Sequence, residues 1–171
     1  MISRYGICLR LVEEADAEFI LTLRTNPLLN TYISYTSPNI TDQIKWIQNY
    51  KIREAQDLEY YFVCEDKKGN KYGTIRLYDF DESGFEVGSW VFVPKSPLGI
   101  AVKAHIMGIE TGFEYLNTDY CKITVRKKNT GVIRYIQDFN ALIIREDDLD
   151  FYFLLSKENF YNRKNKLAIF S

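Results

Sequence analysis

The run Val91-Phe92-Val93-Pro94-Lys95-Ser96-Pro97-Leu98-Gly99-Ile100-Ala101 carries the clearest chemistry in the chain. An apolar strand ends at the prolines, a short turn follows, and a helix opens on small residues. A turn of this kind aims several free backbone N–H groups at one point, and the positive end of the helix dipole adds to them. A diphosphate is the natural guest. Gly99 permits close backbone approach, and Ala101 keeps the first helical turn uncluttered. Spacing alone leaves two readings open, a structural turn and an anion site.

The elements that must position this loop follow from apolar periodicity. Residues 5–12 alternate and read as a first strand. Asp16 to Arg24 has helical spacing and is stopped by Asn26-Pro27. Asn39 or Thr41 caps a second helix to about residue 56, with Ile40, Ile44 and Ile47 on one stripe. Tyr60–Glu65, Lys71–Phe80 and Phe85–Val93 read as strands joined by short turn-rich links, hence an antiparallel meander. A long helix runs from about Gly99 to Asn117, with Ala101, Ala104, Gly108 and Gly112 in a line that allows close approach. The strand Tyr120–Arg126, a helix from Asn129 to Phe139, and strands near 141–146 and 149–156 complete the pattern. Strand–helix–strand from 85 to 126 predicts a parallel pair with a right-handed crossover. The tail after Lys157 reads as polar, frayed or packed on the surface. This is a mixed α/β pattern of about seven strands with helices on its faces, and residues 1–171 are expected to be a single domain with its core at about 5–157 and a tail at 158–171.

Composition removes several classes of function. The net charge is -1, so no global field draws nucleic acid or an anionic membrane, and a phosphate-bearing ligand needs a local device. Cys8, Cys64 and Cys121 form no C-x-x-C pair and, with the single histidine His105, make no zinc site; no metal is expected. Each cysteine lies in an apolar segment and reads as a small buried hydrophobe, and the odd number of thiols fits a reducing compartment. The N-terminus has no signal-peptide pattern and no run approaches a membrane span, so a cytoplasmic location is expected. His105 falls inside the long helix, away from the predicted cleft, and reads as a surface or packing residue.

Ser96-x-x-Gly99-x-Ala101 resembles the acetyl-CoA pyrophosphate motif Gln/Arg-x-x-Gly-x-Gly/Ala of the GNAT superfamily of N-acetyltransferases, with serine at the first position. The segment from Asn129 through Val132, Tyr135 and Ile136 to Asn140-Ala141 resembles a second GNAT motif, Asn-x-x-Ala/Ser-x-x-x-Tyr-x-x-x-Gly-Phe. Asn140 replaces the glycine and tolerates the same left-handed conformation. The opening Leu9-Arg10-Leu11-Val12-Glu13-Glu14-Ala15-Asp16 is similar to the branch that includes ribosomal-protein alanine acetyltransferases. The resemblance spans roughly residues 5–157 and implies the GNAT fold, a mostly antiparallel sheet splayed between strands 4 and 5.

The resemblance also implies a site. Acetyl-CoA would be the cosubstrate, its pyrophosphate on Ser96, Leu98, Gly99, Ile100 and Ala101, its pantetheine along Val91, Phe92 and Val93, with Asn129 and Val132 beside it. A backbone N–H near Val91 would stabilise the oxyanion. Glu86 stands about where relatives place a glutamate, and by alternation shares a face with Gly88, Trp90 and Phe92; it would take the proton that an alkylammonium must lose, or be a solvated strand carboxylate. The family's tyrosine, which would protonate the leaving thiolate, falls on Ile136; Tyr135 beside it is the candidate catalytic acid, with Tyr32, Tyr78 or no acid at all as the alternatives. The acceptor would meet Arg24, Asn26, Tyr32, Tyr35, Arg76, Tyr78 and Trp90. An arginine among tyrosines suits an anionic, ring-containing molecule, although each is also an ordinary surface residue. The run from Gly73 to Phe80 and the strand Gly88-Ser89-Trp90 are similar to N-acetyltransferases of bacterial surface-polysaccharide pathways. The preferred acceptor is therefore a nucleotide-linked amino sugar, with a protein N-terminus second and a non-catalytic acyl-CoA-binding module as the alternative of another class. A homodimer is left open.

Overall fold

Ile2–Arg4 (β1) and Ile7–Leu11 (β2) pair antiparallel across the two-residue turn Tyr5-Gly6, where φ is 56° and 78°. Two consecutive positive φ values suit the right-handed twist of a hairpin. The expected first strand is β2, and β1 precedes it as a further strand, so the sheet has eight strands among the described residues. The computed structural model describes residues 1–167; residues 168–171 of the expected tail lie outside the described ones.

The remaining strands are β3 (Tyr60–Glu65), β4 (Lys71–Asp81), β5 (Gly84–Phe92), β6 (Tyr120–Arg126), β7 (Leu142–Glu146) and β8 (Asp150–Ser156). They stand in the order β1-β2-β3-β4-β5-β6-β8-β7, antiparallel throughout except for the parallel pair β5–β6. The crossover between those two is the helix α3 (Ile100–Leu116), as the strand–helix–strand pattern requires.

Helices cover both faces. On one side, α1 (Ala17–Thr25) and α2 (Ile40–Glu54) enclose a small core of Val12, Ile20, Ile47, Tyr50, Tyr61 and Val63. The buried stripe of α2 is Gln43, Ile47 and Tyr50; the expected partner Ile40, in the first turn, is exposed, and Ile44 is partly buried against the small core. On the other side, α3, α4 (Thr130–Gln137) and α5 (Lys157–Lys164) cover the main core. The line of small residues on α3 does what its spacing suggests: a Cβ on Gly108 would meet Ile75 and one on Gly112 would meet Phe85.

The tail is not frayed up to residue 164. Ser156 caps α5 through the amide of Asn159, and Phe160 is fully buried against Phe113 and Phe139. Phe160 and Tyr161, with Lys164 on Glu110, dock a polar helix that has no stripe. No described helix is long and apolar enough to cross a membrane.

Two irregularities in the meander decide where side chains point. Thr74 opposes Val91, but Arg76 opposes Gly88, so β5 carries one extra residue there. Ser89 takes φ 49°, and its carbonyl accepts from Thr74 Oγ1 at 2.8 Å. This bulge reverses the alternation. Phe85 and Trp90, five positions apart in sequence, both face α3: Phe85 packs on Phe113, and Trp90 donates Nε1–H to the carbonyl of Ala101 at 2.9 Å. Glu86 and Gly88 therefore share the opposite face with Tyr78, and the expected sharing with Trp90 and Phe92 does not hold.

Candidate active site

β5 and β6 are in register only at Phe85–Cys121 and Glu86–Lys122. Beyond these pairs the strands part, while β6 remains fully paired to β8 on its other edge. The gap opens into a cleft of about 720 Å³, walled by Gly88–Phe92 on one strand and Ile123–Arg126 on the other. A parting pair of parallel strands leaves backbone N–H and C=O groups that an extended ligand can satisfy.

Main-chain parity says which groups these are. Val93 donates its amide to Tyr72 at 2.8 Å, and Val91 lies two residues before it opposite Thr74. In an antiparallel ladder those two amides turn toward β4, and the N–H and C=O of Phe92 between them turn toward the gap. Phe92 is thus the residue of the expected trio whose backbone faces the cleft, and its N–H, rather than that of Val91 itself, is the group near Val91 that turns toward the gap.

Past this edge lies the start of α3. Gly99 is its N-cap at φ 81°, a left-handed conformation that favours glycine, with open space where a Cβ would stand. Ile100 donates to the carbonyl of Pro97 and Lys103 to that of Gly99. Among the described residues, no backbone or side-chain acceptor is recorded for the amides of Gly99, Ala101 and Val102. No acidic side chain sits in the first turn to oppose an anion. Free donors at a helix N-terminus, next to a gap with unpaired backbone, fit the pyrophosphate and pantetheine of coenzyme A. Of the other expected contacts, Leu98 projects into solvent, the Ile100 side chain is buried, and Ser96 is half-buried with its amide bonded to Val93 O.

The far wall is α4. Asn129 is its N-cap and accepts from the Val132 amide at 3.4 Å. Asn129, Val132 and Ile136 line the cleft. Tyr135, one position away and therefore turned by about 100°, lies outside that lining. It packs against Trp90, His105 and Phe139, and burial pushes its hydroxyl pKa up. His105 is buried as a packing residue, but it also lines the cleft rather than standing away from it.

The acceptor end lies on the α1–α2 side of the sheet. Glu86 stands opposite Tyr78, whose hydroxyl is pushed up by burial and then by the Glu86 charge. A side chain at Gly88 would displace the Tyr78 hydroxyl, which stands 2.8 Å from the place of a Cβ. The Arg76 guanidinium lies between the rings of Tyr78, at 4.6 Å, and Trp46, at 5.2 Å. Buried Glu59 holds it, and is itself held by Arg53 at 2.8 Å. Arg76 Nε is buried with no hydrogen-bond partner among the described residues. Arg24 donates to Thr36 Oγ1 at 2.7 Å and Ser34 Oγ at 2.9 Å, so it organises the segment that carries Tyr32 and Tyr35 along the cleft.

Asn26 does not reach the cleft; its side chain accepts from the Leu28 amide at the end of α1. Trp46 lines the cleft although it is absent from the expected site. Its signal in the sequence is an aromatic residue one position before Ile47, off the buried stripe of α2.

The chain belongs to the acetyltransferase (GNAT) domain family, whose model matches residues 7–139. It is an acetyl-CoA-dependent N-acetyltransferase. Among solved structures it is similar to apo FdhC, a nucleotide-linked sugar GNAT, at 39% identity and a TM-score of 0.86, over 97% of this chain and 95% of that one. It is also similar to a spermidine N-acetyltransferase from Vibrio cholerae in complex with CoA and spermine, at 18% identity and a TM-score of 0.75, over 93% of this chain and 100% of that one. Mutant forms of the spermidine/spermine N-acetyltransferase SpeG from Vibrio cholerae match at 17% identity and a TM-score of 0.74, over 94% of this chain and 99% of that one. The last two likenesses are of fold. No curated protein matches the chain in sequence.

Proposed function

We propose that the protein acetylates the amine of a nucleotide-linked amino sugar. The observation that carries this reading is the arginine at the acceptor end. Arg76 lines the cleft, clamped between two aromatic rings and anchored by a buried carboxylate. A fixed guanidinium suits a diphosphate, and Trp46, Tyr32 and Tyr35 offer faces for a base. Arg24 adds a second cation. The 39% identity to a nucleotide-linked sugar GNAT supports the same acceptor.

Acetyl-CoA supplies the activated acyl group. The chain's own groups hold it and prepare the amine. The amides of Gly99, Ala101 and Val102 take the pyrophosphate, and the Phe92 backbone pairs with the pantetheine amide. Glu86, on the acceptor face of β5, attracts the ammonium form and accepts its proton. Asn129 and Val132 close the α4 wall.

Two experiments test the reading. Acetyl-CoA is offered with a panel of nucleotide-linked amino sugars, polyamines and peptides, and thiol release is followed. Release is expected with the sugars; release with polyamines or peptides alone refutes the acceptor, and no release with any amine favours a non-catalytic module. Glu86→Gln should lower turnover and remove the acidic limb of the pH–rate profile; an unaltered profile removes Glu86 from proton transfer.

A further inference from the structure

We infer that His105 is a neutral hydrogen-bond donor to the pantetheine arm, its Nε2–H aimed into the cleft because Tyr135 occupies the other ring nitrogen. The inference rests on the reading that the cleft binds coenzyme A. His105 sits in the middle of α3, only 2% exposed, yet it forms part of the cleft wall. Its ring lies against Trp90 at 4.4 Å, and Trp90 is pinned through Nε1 to Ala101. One side of the ring is therefore fixed.

Nδ1 lies 3.1 Å from the Tyr135 hydroxyl, a contact that could run in either direction. Either direction leaves one proton without a partner among the described residues, and it is His105, not Tyr135, that borders the cleft. The hydroxyl has no other acceptor among the described residues, so a bond from Nδ1–H would leave the tyrosine proton unpartnered in the interior. The tyrosine donates, Nδ1 accepts, and the ring proton stays on Nε2.

Nε2 has no recorded partner. The His105 ring forms part of the cleft wall, so the cleft offers Nε2–H the partner that the described residues do not. Burial pushes the imidazole pKa down to about 3, which keeps the ring uncharged at neutral pH. A neutral N–H on the α3 side complements the Phe92 backbone on the strand side: one edge pairs with an amide, the other donates to a carbonyl oxygen. Tyr135 then serves as a positioning residue. It sets the tautomer and never touches the ligand.

The chain has a single histidine, so its tautomer can be read without assignment ambiguity. Long-range proton–nitrogen spectra of labelled, ligand-free protein should show the proton on Nε2 and no charging between about pH 5 and 8. Adding CoA should move the Nε2–H resonance. Tyr135→Phe should release the tautomer preference. By calorimetry, His105→Leu should weaken CoA binding about tenfold, the scale of one hydrogen bond, whereas His105→Gln, which keeps an N–H, should recover much of it. If the leucine variant fails to fold, the spectra of the wild type and of Tyr135→Phe still decide. A proton on Nδ1, a charged ring at neutral pH, or CoA binding that leaves Nε2 unmoved overturns this inference alone. A wild-type protein that binds no CoA overturns the transferase reading beneath it as well.

Discussion

Asp16 concentrates several of the forces that hold the site in place. It accepts from Arg10 at 2.8 Å, from Lys71 at 2.6 Å and from the Glu13 amide at 2.8 Å, tying β2 and β4 to the start of α1. Burial opposes its charge, but the donors from Arg10, Lys71 and Glu13 outweigh burial and hold the carboxyl at about 2, against an ordinary 3.8. A depressed carboxylate stabilises the fold above its unfolded value and loses that contribution as the pH falls through its folded one. Asp16 should therefore contribute about 2 kcal/mol at neutral pH, lost between about pH 4 and 2. Urea unfolding of Asp16→Asn should show that loss at pH 7 and little difference near pH 2; equal stability at both would remove Asp16 from the acid response. Arg76 and Glu59 follow a related logic at the cleft, where a buried carboxylate fixes a cation that would otherwise sample many rotamers.

At the scale of the element, α3 does two jobs with two glycines. At its N-terminus, Gly99 leaves the amides open. Asp and Asn both tolerate the left-handed conformation, so exchanging them isolates charge from strain. Gly99→Asp should weaken CoA binding by about tenfold more than Gly99→Asn, since like charges close together repel. Equal affinities for the two variants would place the pyrophosphate elsewhere. Along the shaft, a Cβ on Gly112 would stand 2.3 Å from the Phe85 ring, which is fully buried. Alanine normally favours a helix over glycine by about 1 kcal/mol. Gly112→Ala should nonetheless destabilise by about 1–3 kcal/mol in urea, because overpacking wins. A gain in stability would show that the helix and β5 can move apart freely.

Across the whole molecule, the two ends of the described chain meet on α3. Glu110 of α3 is buried and receives Arg4 from β1, Tyr5 from the hairpin turn and Lys164 from α5. Phe160 fills the space between Phe113 and Phe139, so α5 braces α3, which opens at Gly99, and the end of the helix that carries Asn129. Phe160→Ala should cost about 3–5 kcal/mol and lower the midpoint of thermal unfolding, with CoA affinity per folded molecule largely kept. An unchanged midpoint would make α5 a surface attachment.

Much of the architecture was legible from neighbouring residues alone. The strand–turn–helix at Gly99, the Asn129 cap and the left-handed Asn140, observed at φ 54°, depend on φ preferences, missing donors and apolar period within a few positions. Those energies are local, so the order of residues states them directly. The tertiary structure alone decided the bulge at Ser89, the turning of Trp90 away from Glu86, the clamp of Trp46 and Tyr78 on Arg76, the pairing of His105 with Tyr135 and the burial of Phe160. Each depends on hydrogen-bond register across a sheet, or on burial shared by groups tens of residues apart, and a linear period holds no term for either.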